Sequence, residues 1–142
     1  MQNNFKNIHI GKLIQQKVFE REIDLLRITK FFKTSHEQIY KMFESNDIEC
    51  DSLLKWSKLL EYDFFRIYSQ HLILYSPPSV VKKDGEKKYS LLPVFRKNIY
   101  TDELIHFILE LLKTNRKTKN EIMNEYRIPK TTLYKWIKKY GT

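Results

Sequence analysis

Alanine is missing from this 142-residue chain, glycine occurs only three times, proline four times and cysteine once. Three glycines cannot build a glycine-rich loop that cradles a nucleotide phosphate. A lone Cys50 excludes an internal disulfide framework and a cysteine-based metal site, and with no recognisable base partner it reads as a packed or cap-adjacent thiol. His9, His36, His71 and His106 are scattered, without a second histidine or an acid at metal-ligand spacing, so no cofactor or metal is expected. Long apolar runs are lacking too. The most apolar stretch, Phe64 to Tyr75, is interrupted by Arg66, Gln70 and His71 and is too short to cross a bilayer. The leading MQNNFKNIHIGK lacks the apolar segment of a signal peptide. These absences lead us to expect a cytoplasmic protein with no membrane partner, no small-molecule ligand and no enzymatic activity.

What is present is apolar surface and an uneven charge. Hydrophobic residues make up 42% of the chain and aromatics 14%, enough for one ordinary core or two very small ones. The formal net charge is +9, and it is concentrated in one half. Residues 1–78 carry 11 basic and 10 acidic side chains, whereas residues 79–142 carry 15 and 7. Abundant Ile, Lys, Asn, Tyr and Phe have AT-rich codons, so base composition accounts for part of the lysine count. It does not account for the concentration of charge in one half. A basic module joined to a nearly neutral one points to a polyanionic partner touched mainly by the second half.

Apolar spacing predicts helices throughout, hence an all-α fold. Ile10, Leu13, Ile14 and Val18 recur at helical intervals, and Asp24 is placed to cap a helix over Leu25 to Phe32. Ser35 to Gln38 has the form of a capping box that opens a third helix through Ile39, Met42 and Phe43. Asp51 opens a fourth, containing Leu53, Leu54, Trp56, Leu59 and Leu60, and Asp63 a fifth that runs to about Leu74. Pro77-Pro78 then stops the pattern. A charged run around Asp84-Gly85 follows, flanked by Val80-Val81 and Tyr89 to Val94, which could pair as a hairpin were it not for Pro93. We read 1–75 as a five-helix domain, 76–99 as a linker and 100–142 as a three-helix domain. In the last, Thr101 caps a helix whose buried stripe is Leu104, Phe107, Ile108, Leu111 and Leu112, with Asp102 and Glu103 suiting its first turn. Thr118 to Glu121 is a second capping box, Arg127 to Pro129 a turn, and Lys130 to Tyr140 a final helix with Gly141 suited to the position beyond it.

Two short helices joined by a tight turn after a longer helix form the helix-turn-helix layout. In the final helix Leu133, Trp136, Ile137 and Tyr140 build an apolar anchor, and no acid follows Glu125. Early residues of such a helix reach base edges and later basic ones meet phosphates. Lys130, Thr131, Thr132 and Lys135 are therefore assigned to base contact. Lys138 and Lys139 are assigned to phosphates, together with Lys117 and Lys119 near the start of the preceding helix.

The segment KTKNEIMNEYRIPKTTLYKWIKKYG resembles the helix-turn-helix of Hin-type recombinases and of the first-frame proteins of insertion-sequence transposases. It carries their tyrosine, turn, Thr-Leu-Tyr-x-Trp ending as Tyr126, Thr132, Leu133, Tyr134 and Trp136, and departs from them in having Pro129 where a capping serine is usual. That resemblance covers about 40 residues from Thr101 onward and implies DNA recognition; the acidic triad of a catalytic nuclease fold has no room in the chain. More faintly, IGKLIQQKVFEREIDLLRITKFFKTSHEQIYKMFES resembles the five-helix domain of phage-repressor and Cro-type regulators, with Ile28 and Ile39 at core positions and Ser35 as a cap. Lys33 replaces the usual turn glycine there, Leu25 a common DNA-contacting glutamine and Phe43 a common acid. This resemblance offers His36, Gln38, Tyr40 and Lys41 as a second DNA face, although Glu37 lies among them.

The stretch LLKWSKLLEYDFFRIYSQHLILY is apolar over more than one helical face. A homodimer interface through Phe64, Phe65, Tyr68 and Tyr75 would bury the surplus, and so would a filled core within the domain. The sequence thus leads to a double-stranded-DNA-binding regulator acting as a homodimer. Its rivals are the non-catalytic recognition protein of a transposition system and an assembly factor with a generic polyanion-binding tail.

Overall fold

A computed structural model describes residues 5–76, 91–93 and 100–141. It is all-α, with eight helices and no strand among the described residues: α1 Ile10–Glu20, α2 Leu25–Phe32, α3 His36–Glu44, α4 Cys50–Leu60, α5 Phe65–Tyr75, α6 Asp102–Lys113, α7 Lys119–Glu125 and α8 Lys130–Tyr140. The hairpin considered across Asp84-Gly85 falls on residues outside the described ones, apart from Leu91 to Pro93, which are not in a strand. The chain divides into two compact units, residues 2–69 and 70–142. That division lies inside α5, ahead of the boundary expected after residue 75. The cause is Gln70, buried in the second unit, where its Oε1 accepts hydrogen bonds from the Thr101 N–H at 3.2 Å and the Thr101 hydroxyl at 3.4 Å.

In the first unit Ile10, Ile14, Ile28, Ile39, Phe43, Leu53, Trp56, Leu60 and Phe64 form one buried cluster. Trp56 lies at its centre, with the Phe32 ring 4.5 Å and the Phe43 ring 5.7 Å from its own. Its indole N–H points at the Met42 sulfur, 3.4 Å away, so the one polar atom of the side chain is not left orphaned. Helix α1 meets the end of α3 at Gly11, whose N–H donates to the Ser45 carbonyl at 3.1 Å. A Cβ at this position would come under 3.0 Å from the carbonyl oxygens of Met42, Phe43 and Ser45. Those are backbone atoms and cannot swing aside, so the approach requires glycine.

Helix starts are partly as expected. Ser35 accepts the Gln38 N–H, Thr101 accepts the Leu104 N–H, and Thr118 with Glu121 forms a reciprocal capping box. Such caps contribute about 1 kcal/mol each. Asp24 occupies the N-cap position of α2 without a side-chain bond, and Asp51 sits in the first turn of α4 instead of ahead of it. The α1 cap is His9, whose Nδ1 accepts the Lys12 N–H at 3.3 Å. In α6 the buried stripe is Leu104, Ile105, Ile108 and Leu111; it is turned slightly from the expected one, leaving Phe107 and Leu112 half-buried.

Helix ends are less usual. Glu22, Lys33, Glu61, Asn115 and Arg127 all have positive φ, between 50° and 53°, and no described glycine does. Each stands within two residues of the end of a helix. After four of them the next N–H reaches back five residues: Ile23 to Val18, Thr34 to Thr29, Tyr62 to Ser57 and Arg116 to Leu111. This is the Schellman arrangement, which satisfies carbonyls that the helix leaves open. Gly141, expected to take the left-handed role after α8, has φ −82° instead.

Two outcomes follow for stability. Gly11→Ala should destabilise the first unit by about 3 kcal/mol, since the added methyl meets immovable backbone, and urea unfolding of the full chain measures this. Lys33→Gly should stabilise it by about 0.5–1 kcal/mol, because glycine adopts the left-handed conformation without a Cβ clash. An unchanged or lowered urea midpoint for Lys33→Gly would mean that the lysine side chain contributes more than the strain it causes.

Candidate nucleic-acid interface

The second unit is built around Leu104, Ile105, Ile108 and Leu111 of α6, Ile122 of α7 and Leu133 and Trp136 of α8, all buried. The connection between α7 and α8 contributes two more buried side chains, Tyr126 and Ile128. In that connection Arg127 is left-handed, Ile128 turns inward and Pro129 is extended at φ −57°, ψ 142°. Pro129 provides no side-chain cap, but its carbonyl accepts the Leu133 N–H at 3.0 Å, so the helix starts at Lys130 as expected. The missing proline N–H costs nothing at a helix start, where it would have no intrahelical partner.

Two anchors hold α8 from behind. Leu133 is fully buried, and Trp136 is 8% exposed with the Tyr100 ring edge-on to it, 4.9 Å between centroids. Ile137 is half-buried. Tyr140, expected as a fourth anchor, is exposed, with the His106 ring 6.1 Å away. The opposite face carries Lys130, Thr131, Lys135, Lys138 and Lys139, all exposed, while Thr132 is half-buried toward the flank. No acidic residue occurs in α8.

The lysines differ in their surroundings. Lys117 is ion-paired with the Glu125 carboxylate and lies 5.5 Å from the centre of the Tyr126 ring. Its hydrogen bond to Glu125 holds its pKa above the ordinary lysine value. Burial, and then the same carboxylate, raises the Tyr126 phenol. Lys117 is therefore committed to its own unit, unlike the other lysines assigned to phosphate. Glu121 is held below the usual carboxylate range by the Thr118 backbone N–H and hydroxyl. Lys119 and Lys130 both lie over the exposed Tyr134 ring, at 5.0 and 5.7 Å. Lys139 lies 4.9 Å from the Tyr140 ring centre, and its contact with that phenol raises its pKa. Sequence reasoning alone does not single out Tyr134 as a site residue. Its i,i+4 relation to Lys130 is legible in the sequence, but the arrival of Lys119 from another helix is not.

The expected second face is present on α3 but mixed in charge. His36, Gln38, Tyr40 and Lys41 are all exposed, and the Lys41 ammonium pairs with Glu37 at 3.2 Å. The dimer candidates differ in their exposure. Phe64 is 1% exposed inside the first core, and Phe65 and Tyr68 pack on that core half-buried. Tyr75 belongs to the second unit, edge-on to Tyr126 at 6.4 Å. Of the four candidates only Phe64 is fully enclosed, while Leu54, Tyr62 and Leu72 of the same stretch remain exposed. Among the described residues no three His, Cys, Asp or Glu side chains could share a metal ion, and no helix is long and apolar enough to cross a membrane.

No protein-family model, curated protein or solved structure matches this chain.

Trp136→Ala should cost about 3–5 kcal/mol of stability, the penalty of emptying a buried aromatic site. Thermal unfolding of the full chain provides the measure; a variant as stable as the parent would mean that α8 is not held by this side chain.

Proposed function

We propose that the chain binds double-stranded DNA through α8, as a non-catalytic transcriptional regulator. The observation that supports this most is the combination on one eleven-residue helix of a buried anchor and an uninterrupted basic face. Leu133 and Trp136 fix the helix from behind, and Thr131, Lys135, Lys138 and Lys139 project away from it with no acid among them. A helix of this width enters the B-DNA major groove, where hydroxyls and ammonium groups meet base edges and phosphates. A lysine-rich helix that was merely solvated would gain nothing from excluding acids, since alternating charges support an exposed helix better. The α3 face is the weaker candidate because Glu37 neutralises Lys41 there.

In this reading Thr131 and Lys135 read bases, and Lys138 and Lys139 hold the backbone. Selection of bound sequences from a random duplex pool at about physiological salt, using the full chain, provides the test. A preferred site should emerge, and a palindromic one would indicate binding as a homodimer. Thr131→Ala with Lys135→Ala should alter the preferred bases, since a good bidentate pair with a base supplies about 1–3 kcal/mol of discrimination. Lys138→Gln and Lys139→Gln should weaken all duplexes alike, and each should lower the salt slope by about 0.9, the value for one phosphate no longer neutralised. No enriched sequence, with affinity vanishing as salt rises, would replace this reading with a generic polyanion anchor.

A further inference from the structure

We propose that Lys119, Lys130 and Tyr134 together form a clamp for a single phosphate group, which reassigns Lys130 from base reading to the DNA backbone. The identity of that phosphate as a DNA phosphodiester rests on the function proposed above; the clamp itself rests on its own geometry.

Three observations converge on it. The ammonium groups of Lys119 and Lys130, from different helices, lie over the same tyrosine ring at 5.0 and 5.7 Å. Two like charges gathered at one ring repel, and the negative face of a ring offsets only part of that repulsion. An anion between them completes the balance. Secondly, no carboxylate pairs with either lysine among the described residues, whereas Lys117, two positions before Lys119, is neutralised by Glu125. The unit thus supplies an acid to one lysine and withholds it from the adjacent pair.

Direction is the third observation. At 3.6 residues per turn, Thr131 and Lys138 point directly away from the Leu133–Trp136 anchor, and Lys135 lies close beside them. Lys130 lies about a quarter turn to one side. Its ammonium lies over Tyr134, which stands on the other side of the open face's centre line from Lys135. A side chain on the flank of a groove-entering helix meets the sugar-phosphate wall, while those at the centre meet base edges. The flexible lysine stems, each with three donors, can close on the two free oxygens of one phosphate. Tyr134, 44% exposed, brings both ammonium groups to its ring.

The test uses the folded full chain and two probes. In an NMR titration with inorganic phosphate, against chloride at equal ionic strength, the Tyr134 ring signals should shift saturably with phosphate alone. Lys119→Gln and Lys130→Gln should each weaken that binding at least about tenfold, the effect expected for a charged hydrogen bond. Tyr134→Leu should weaken it as well while leaving the fold intact. Absence of a saturable shift in the parent protein overturns the clamp. With a short duplex, the Lys119→Gln/Lys130→Gln double variant should lower the salt slope by about 0.9, the value for one phosphate and not two. A fall twice as large, or a change in preferred sequence with Lys130→Gln alone, also overturns it. Phosphate binding without duplex binding would leave the clamp standing and sink the DNA reading instead.

Discussion

Each helix of this chain must stop and let the backbone reverse within a few residues, and almost no glycine is available to do it. The left-handed conformation that ends a helix costs an ordinary residue about 1 kcal/mol or more. Here Glu22, Lys33, Glu61, Asn115 and Arg127 bear that cost. Four of them recover it through the backward hydrogen bond that follows, and Ile23 adds an apolar contact with the first core. Four of the five are charged and all are exposed, so each stop also keeps the turn in water. The scarce glycine is kept for Gly11, where space and not conformation is the constraint. Packing of α1 on α3 depends on that choice.

The same stop builds two similar turns. In the first unit left-handed Lys33 is followed by Thr34, an extended Ser35 and then the start of α3 at His36. In the second, left-handed Arg127 is followed by Ile128, an extended Pro129 and the start of α8 at Lys130. The spacing from left-handed residue to helix start is identical. The difference lies in what the second helix presents. Helix α3 mixes Glu37 with Lys41 and ends in Glu44, whereas α8 contains no acid and exposes Lys130, Lys135, Lys138 and Lys139. A shared scaffold with opposite surfaces fits one unit that contacts DNA and one that does something else, a division consistent with the charge of the two halves.

Apolar periodicity made the helices legible, because short amphipathic helices leave a strong 3.6-residue signal. Thr118 and Glu121 declared their cap in four letters, and Leu133 and Trp136 declared their anchor by spacing. The failures share a cause. The stretch from Leu53 is apolar on several sides, and spacing cannot tell that Phe64 is enclosed in the first core while Tyr75 is half-buried in the second unit. Gln70 looked like an interruption and is a buried acceptor that holds Thr101. Tyr140 had the right spacing but is exposed. In the candidate site the lysines could be read as a set, but their partners could not. That Glu125 claims Lys117 across the length of α7, and that Lys119 reaches Tyr134 from another helix, depends on folded geometry that spacing alone does not give.

Those partners explain how a cation-rich surface stays folded and keeps its charge. Carboxylates would relieve repulsion between lysines most effectively, yet each one would cancel a charge available to a polyanion. Aromatic rings relieve it by about 0.5–1 kcal/mol at each exposed site and cancel nothing. In the second unit Tyr126, Tyr134 and Tyr140 all sit beneath lysines, and among the described residues only Lys117 of these is also ion-paired with an acid. That one pair joins the start of α7 to its end, where it supports the fold rather than the open face of α8. A surface selected only for solubility would have no reason to separate its acids and its tyrosines in this way. The separation follows if the open lysines must remain charged until a phosphate reaches them.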